Sequence, residues 1–309
     1  MDLTSISPTL LIASLMVAAT PILLAALGEL VVEKAGVLNL GVEGMMIIGA
    51  AIGFIAAVEI GSVWLGFAAA ALGGAVMALL FGVLTQLLLS NQVATGLALT
   101  LFGLGLASLL GQGYVGIKVD ALPRLDMGPL SDLPFVGRVL FGHDPMVYVS
   151  LALVAATWAF LRFTRAGLIL RAVGESHDAA HALGYHVVRV RLLAIAFGGA
   201  CAGLGGAYLS LVRVPQWTEG MTAGAGWIAL ALVVFASWKP ARVLVGAYLF
   251  GGITVLQLNL QTAGATIPVE LLSAAPYLVT ILVLVLISRR GRRGGDAPAD
   301  LGRAFHASS

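Results

Sequence analysis

The sequence predicts an all-α polytopic membrane protein with about nine to ten transmembrane helices. Of its 309 residues, 60% are hydrophobic and only 10% are charged, whereas a soluble domain carries roughly a quarter charged residues. This composition cannot cover a soluble surface with polar side chains, so the excess of apolar side chains must face lipid. No linker-like stretch divides the chain, which indicates one integral unit.

Long apolar stretches define the individual spans. A transmembrane helix needs about 20 mainly apolar residues. Nine segments are predicted to span the membrane: 8–28, 41–59, 63–89, 92–112, 146–161, 190–212, 222–238, 243–260 and 268–288. A further, re-entrant pass within residues 28–44 would bring the number of passes to ten.

The distribution of basic residues predicts the orientation, because cytoplasmic loops are enriched in Lys and Arg. With the N-terminus outside, only Lys118, Arg124, Arg138 and Arg213 of the 17 basic residues face outward, and the other 13 lie inside. The C-terminus is then cytoplasmic. Residues 1–290 form the membrane domain, and the Gly-, Arg- and Ala-rich residues 291–309 are expected to be a disordered cytoplasmic tail.

Several function classes are disfavoured by what the sequence lacks. A net charge of +2 argues against a nucleic-acid partner, and the single cysteine, Cys201, excludes a disulfide framework or a multi-cysteine metal site. A phosphate-binding loop needs Gly-Lys followed by Ser or Thr, but none of the three lysines follows glycine. We therefore expect no cofactor, no metal and no ATP hydrolysis in this chain.

A short helix with defined ends is predicted within the cytoplasmic loop 162–191. Ser176 is a good N-cap because its hydroxyl can accept a hydrogen bond from an unpaired amide of the first turn. Asp178 places negative charge at the positive end of the helix dipole. Gly184 can adopt the left-handed conformation that ends such a helix.

The same helix carries a small apolar face, formed by Ala179, Ala180 and Leu183. Small side chains allow another protein to approach closely. The alternative is an amphipathic helix that rests on the lipid headgroups.

Three segments in order resemble one protein family. Asp178-Ala179-Ala180 followed by Gly184 resembles the Glu-Ala-Ala…Gly cytoplasmic loop of ABC importer permeases, with Asp in place of Glu. The segments from Gly28 to Gly44 and from Gly224 to Pro240 are similar to the branch that serves branched-chain amino acids, simple sugars and nucleosides, and closest to its nucleoside and sugar permeases.

In that family the short helix is a coupling helix, which docks into a groove on the ATPase and carries its motion to the membrane part. The resemblance therefore assigns ATPase coupling to Gly174, Glu175, Ser176, Asp178, Ala179, Ala180, Leu183 and Gly184. It also implies three partners: a separate ATPase subunit, a second permease subunit that is homologous or identical, and an extracytoplasmic substrate-binding protein. The implied location is a bacterial-type inner (plasma) membrane.

Other functions stay open at this point. A permease for branched-chain amino acids belongs to the same branch, and an ion-coupled secondary transporter would also be polytopic. No second copy of the 28–44 segment supports the internal repeats of that class. An intramembrane enzyme is disfavoured because no catalytic motif is present. The outer loop 113–145, with four aspartates, is either a solvated connector or a surface for an extracytoplasmic partner.

Charged residues interrupt the chain where an apolar helix would otherwise continue. Glu29, Asn39 and Glu43 lie beside glycines that permit a break in the helix, and broken backbone at membrane depth is tolerated only against protein or a cavity. These three residues are the candidates for the substrate path. The alternative is an ordinary cytoplasmic hairpin with Glu33 and Lys34 at its tip.

Cysteine labelling in intact cells tests the predicted orientation. After replacement of Cys201, a cysteine at Ser131 is expected to react with an impermeant thiol reagent from outside, and one at Ser308 only after the cells are opened. Labelling of the Ser308 position in intact cells would overturn the topology.

Overall fold

The computed structural model describes residues 8–125, 141–262 and 297–306, together with the isolated residues 128, 137, 274, 278, 281 and 285. These residues form ten α-helices: α1 (Pro8–Lys34), α2 (Val42–Ile60), α3 (Val63–Gly82), α4 (Gln92–Gly111), α5 (Pro145–Phe163), α6 (Arg165–Glu175), α7 (His177–Ala182), α8 (Val187–Tyr208), α9 (Ala225–Phe235) and α10 (Pro240–Thr262). Helices α3 and α8 continue into π-helical turns, Val83–Leu87 and Leu209–Arg213, and α4 continues into a 3-10 turn, Gln112–Tyr114.

Seven of the helices in the described part of the chain are long and apolar enough to cross a membrane. They are α1 to α5, α8 and α10, and they coincide with seven of the nine predicted spans. The predicted all-α polytopic fold is therefore confirmed. The ninth predicted span, 268–288, lies outside the described residues except at four positions.

The predicted span 222–238 is wrong as a continuous helix. Only Ala225–Phe235 is helical, 11 residues long, and a helix of that length rises about 16 Å, roughly half of the hydrocarbon core. The backbone of Gly220, Ala223 and Gly224 has positive φ angles of 66°, 45° and 85°, so a helix cannot begin before Ala225. The preceding residues are an irregular segment.

Glycines bring α8 into close contact with α1, α2 and α3. A Cβ on Gly28 of α1 would lie 2.8 Å from the carbonyl oxygen of Gly198. A Cβ on Gly203 would overlap the backbone oxygen of Ala70 in α3, and one on Gly206 would overlap that of Met46 in α2. Because small residues let helix backbones approach closely in a membrane bundle, α8 is the central helix of the packing.

Contacts sort the helix ends into two groups. At one end, Gly174 of α6 packs on the backbone of Lys34, and Arg191 of α8 bonds to the carbonyl of Ala35. At the other end, Tyr114 donates a hydrogen bond to Glu59 at 2.7 Å, and Trp217 lies against Gly111, the last residue of α4. The predicted topology requires this same grouping.

Part of the expected disordered tail is folded. The amide of Asp300 donates to the carbonyl of Gly174 at 3.0 Å, and the amide of Gly302 donates to Gly36 at 3.0 Å. Phe305 is buried against α6, α7 and the start of α8. The composition of the tail favoured disorder, but an aspartate and an aromatic side chain fix residues 297–306 on the loops.

Candidate functional site

The first break in the helices follows α1. The chain turns at Ala35–Gly36 and then runs without helical structure to Gly41. On this return the amide of Asn39 donates to Oε1 of Glu29 at 3.4 Å, and Asn39 Oδ1 accepts from the amide of Gly41 at 2.9 Å. The turn therefore lies at Ala35–Gly36 and not at Glu33 and Lys34, which belong to α1, and Glu33 is buried. Residues 35–41, which return along α1 without helical structure, are the re-entrant segment.

Helix α4 supports the other side of the re-entrant segment. The amide of Leu38 donates to Oε1 of Gln92 at 2.8 Å, and the hydroxyl of Thr100 donates to the carbonyl of Leu40 at 3.1 Å. A Cβ at Gly96 would lie 2.8 Å from the amide nitrogen of Leu40. The absence of a side chain at Gly96 therefore lets the non-helical backbone lie directly on α4.

The second break precedes α9, and Glu43 holds it. Oε1 of Glu43 accepts hydrogen bonds from the hydroxyl of Thr222 at 2.5 Å and the amide of Gly224 at 2.9 Å. Its Oε2 accepts from the amide of Gly226 at 2.7 Å. Glu43 also lies in the first turn of α2. One carboxylate thus serves the N-terminal ends of two helices, where a negative charge is favoured.

This junction lies near the middle of the bundle. Gly44, next to Glu43, packs against the backbone of Leu99 and Thr100, and Gly103 packs against Gly44. These α4 residues are central in the span Gln92–Tyr114. Unpaired backbone groups are strongly disfavoured at such a depth, so the hydrogen bonds to Glu43 are what permits a break here.

A third carboxylate anchors the far end of α9. The indole N–H of Trp238 donates to Oε2 of Glu33, which is buried. Ser237 and Trp238 both have positive φ angles, 50° and 54°, so the chain turns sharply before α10. From the sequence, Glu33 was placed only at the tip of a hairpin, with no partner in the chain.

Of the three predicted path residues, Glu29 and Asn39 are bonded to each other, whereas Glu43 bonds to the residues around the start of α9. None of the three reaches the surface. Glu29, Asn39 and Glu43 have exposed fractions of 1%, 0% and 4%. The exposed surface nearby belongs to residues 218–220 and to Ala223, and its polar side chains are Thr218 and Glu219. There Glu219 accepts a hydrogen bond from Ser108 of α4 at 2.7 Å. The predicted residues are therefore buried, and they stabilise the non-helical backbone through hydrogen bonds without lining an exposed surface.

The predicted ends of α7 are confirmed. Oγ of Ser176 accepts from the amide of Ala179 at 3.3 Å, and Gly184 follows the helix with a φ of +87°. Asp178 lies in the first turn, as expected. Glu175 and Gly184 are exposed, whereas Gly174 is buried against the backbone of Lys34.

The predicted small face of α7 needs a correction at Ala180. Leu183 is 75% exposed and Ala179 is exposed, but Ala180 is 2% exposed. His177 and Ala180 are three residues apart and so share the inward face of the helix. Both pack with Phe305 or its neighbours. The face available to a partner is formed by Ala179, Ala182 and Leu183.

The side chains of these sites stabilise non-helical backbone through hydrogen bonds or present an exposed surface. Within the described residues, no three His, Cys, Asp or Glu side chains lie close enough to hold a metal ion. Broken helices that begin near mid-membrane, together with a short exposed helix between two spans, are features of a membrane component of a transport system.

The family comparison agrees with this class. Residues 11–287 match the family described as "Branched-chain amino acid transport system / permease component", and the chain belongs to this family. It is a membrane permease component of an ABC transport system, and it is not an enzyme.

Three relatives illustrate the membership. A permease of Haloferax volcanii, TsgC13, provisionally named for a glucose ABC transporter, is 43% identical over 86% of this chain and 88% of its own. The guanosine ABC transporter permease NupQ of Bacillus subtilis is 32% identical over 92% and 93%. The nucleoside ABC transporter permease NupC of Lactococcus lactis is 31% identical over 90% and 92%.

Replacing Glu43 should destabilise the junction of α2 and α9. Glu43→Leu leaves the buried amide of Gly226, the buried hydroxyl of Thr222 and the partly buried amide of Gly224 without an acceptor, at about 1–3 kcal/mol for each buried group. Glu43→Gln keeps one acceptor oxygen and should lose less. The measurement is the thermal unfolding midpoint of the purified chain in detergent.

Glu59→Leu is the matched control, because Glu59 lies in the same helix and its carboxylate accepts from Tyr114 at an exposed position. Equal midpoints for Glu43→Leu and Glu59→Leu would contradict the bracing role of Glu43.

Proposed function

We propose that this chain forms the path for a nucleoside or a simple sugar in an ABC importer of the plasma membrane. Its N-terminus lies outside and its C-terminus in the cytoplasm. The names of NupQ, NupC and TsgC13 support these two substrate classes, and the bias of basic residues supports the orientation. The family description keeps branched-chain amino acids as the second candidate class.

The observation that carries the proposal is the exposed face of α7. This helix lies between two spans, has fixed ends, and presents Ala179, Ala182 and Leu183 outward. An apolar side chain that is 75% exposed flanked by two alanines suits a groove on a partner protein. The partner is the separate ATPase, whose movement reaches the membrane helices through α7.

The substrate path runs along residues 218–223 and the adjoining face of α4. Exposed polar groups at membrane depth face a water-filled cavity or another protein chain. Glu43 holds this strip in place through Thr222, and Glu29 of α1 holds Asn39 in the re-entrant segment. A second permease subunit, homologous or identical, closes the path on the opposite side.

The outer loop 113–145 is the surface for an extracytoplasmic substrate-binding protein. Its described residues are tied to the second break. Backbone bridges join Val115 to Trp217 and Lys118 to Gln216. A binding protein seated on this loop would therefore contact the structure that leads to residues 218–223.

Competition in reconstituted vesicles tests the substrate class. With the complete transporter and its binding protein, uptake of labelled guanosine or glucose is expected to be blocked by an excess of its own class and to persist in excess leucine. Uptake of labelled leucine, together with no uptake of guanosine or glucose, would assign the chain to branched-chain amino acids.

Substitutions on the exposed face of α7 test docking. Ala179→Glu places an unpaired charge in the interface, and Leu183→Ala removes its largest apolar contact, so both should reduce co-purification of the ATPase by at least about tenfold. Leu193→Ala is the matched control, since Leu193 is 64% exposed on a spanning helix.

Ala180→Glu does not test docking, because Ala180 faces the chain's own tail. If Ala179→Glu and Leu183→Ala both retain the ATPase at the unmodified level, α7 is not the docking element.

A further inference from the structure

Arg191 is a completely buried arginine that joins four parts of the chain. Its Nε donates to the carbonyl of Ala35 at 3.2 Å, and its Nη1 donates to Oε1 of Gln86 at 3.3 Å and to the carbonyl of Arg303 at 3.0 Å. Its Nη2 lies 3.3 Å from Nδ1 of His177. These partners belong to the re-entrant segment, the end of α3, the tail and α7.

The folded tail makes a second set of bonds between the same parts. The carboxylate of Asp300 accepts from the amide of His177 at 2.9 Å and lies 2.8 Å from Nδ1 of its ring. The amides of Asp300 and Gly302 bond to the carbonyls of Gly174 and Gly36. The tail thus bonds at once to α6, α7 and the re-entrant segment.

Phe305 completes the attachment through ring contacts. Its ring lies edge-on to those of His177 and His181, with centroids 5.4 Å and 5.2 Å apart. Phe305 is 6% exposed and packs with Val173, Ala180 and Val187. The inward face of α7 is therefore held by the tail, while its outward face is free for a partner.

We propose that Arg191 and residues 297–306 form a link that carries a movement of α7 to the re-entrant segment 35–41. The inference rests on the proposed docking of the ATPase to α7. If α7 moved alone, the buried guanidinium and the Asp300 carboxylate would lose partners, and unpaired buried charges are strongly unfavourable. The movement of lowest energy is therefore one in which α7, the tail and Ala35–Gly36 move together.

The close packing at Gly36 and Gly174 makes the link short. A Cβ at Gly36 would lie 3.0 Å from Nη2 of Arg191 and 3.2 Å from Cα of Gly174. From Gly36 the re-entrant segment leads to Asn39, which bonds to Glu29. A displacement of α7 would therefore reach the carboxylate of Glu29 through only a few residues.

Variants of the link are tested in proteoliposomes that contain the full transporter. Arg191→Lys keeps the charge, but one ammonium group cannot reach all the partners of a guanidinium. Asp300→Asn and Phe305→Ala loosen the tail outside the spanning segments. We expect each to bind the ATPase normally and to lower the solute taken up per ATP hydrolysed by about fivefold or more.

Matched controls are Arg189→Lys and His306→Ala, at exposed positions next to the altered residues on α8 and the tail. They should leave the ratio of uptake to hydrolysis unchanged. A merely structural role would lower uptake and hydrolysis together and leave this ratio unchanged. If Arg191→Lys fails to fold, a chain ending at residue 296 provides the same comparison.

The outcomes separate the link from the docking proposal. A lower ratio with bound ATPase supports the link. An unchanged ratio in Asp300→Asn and Phe305→Ala overturns it. Loss of ATPase binding in these variants also overturns it, because the tail would then belong to the docking surface. Retention of the ATPase by Ala179→Glu and Leu183→Ala contradicts the proposed docking itself.

Discussion

The structure depends on buried carboxylates that replace helical hydrogen bonds near the middle of the membrane. Two helices, α2 and α9, begin there, and their first amides have no partners within their own helices. Glu43 satisfies the amides of Gly224 and Gly226 and the hydroxyl of Thr222, while Glu29 supports the return of the chain through Asn39. Without these acceptors, non-helical backbone could not persist at this depth.

Small residues determine where the carboxylates can act. A Cβ at Gly226 would lie 2.5 Å from Cα of Glu43, so only glycine lets the start of α9 approach the carboxylate. Gly96 and Gly103 do the same for α4, which lies against the re-entrant segment and the start of α2. At the end of the bundle, the charge of Arg191 joins the same re-entrant segment to α7. Broken backbone, packing and the cytoplasmic loop therefore form one connected structure.

Much of the fold followed from the sequence, because lipid imposes long apolar helices and seven of them were located from length and hydropathy. The ends of α7 also followed, since capping by Ser176 and the left-handed Gly184 depend on local sequence alone.

Ala180 was wrongly predicted to be exposed, because Phe305, which covers it, is distant in sequence. The break before α9 was missed because residues 222–238 are apolar throughout most of their length, and the partner of that break, Glu43, lies in another helix. The composition of the tail predicted disorder. Residues 297–306 are nevertheless folded, because Asp300 and Phe305 contact specific partners elsewhere in the chain.

We propose that this chain provides a path whose opening is driven by a separate ATPase and not by an ion gradient. The most direct measurement is uptake by the reconstituted transporter, with ATP supplied on the side of α7 and a proton ionophore present. Uptake is expected to require ATP and to be unaffected by the ionophore. Uptake without ATP that collapses when the ion gradient is dissipated would contradict this proposal.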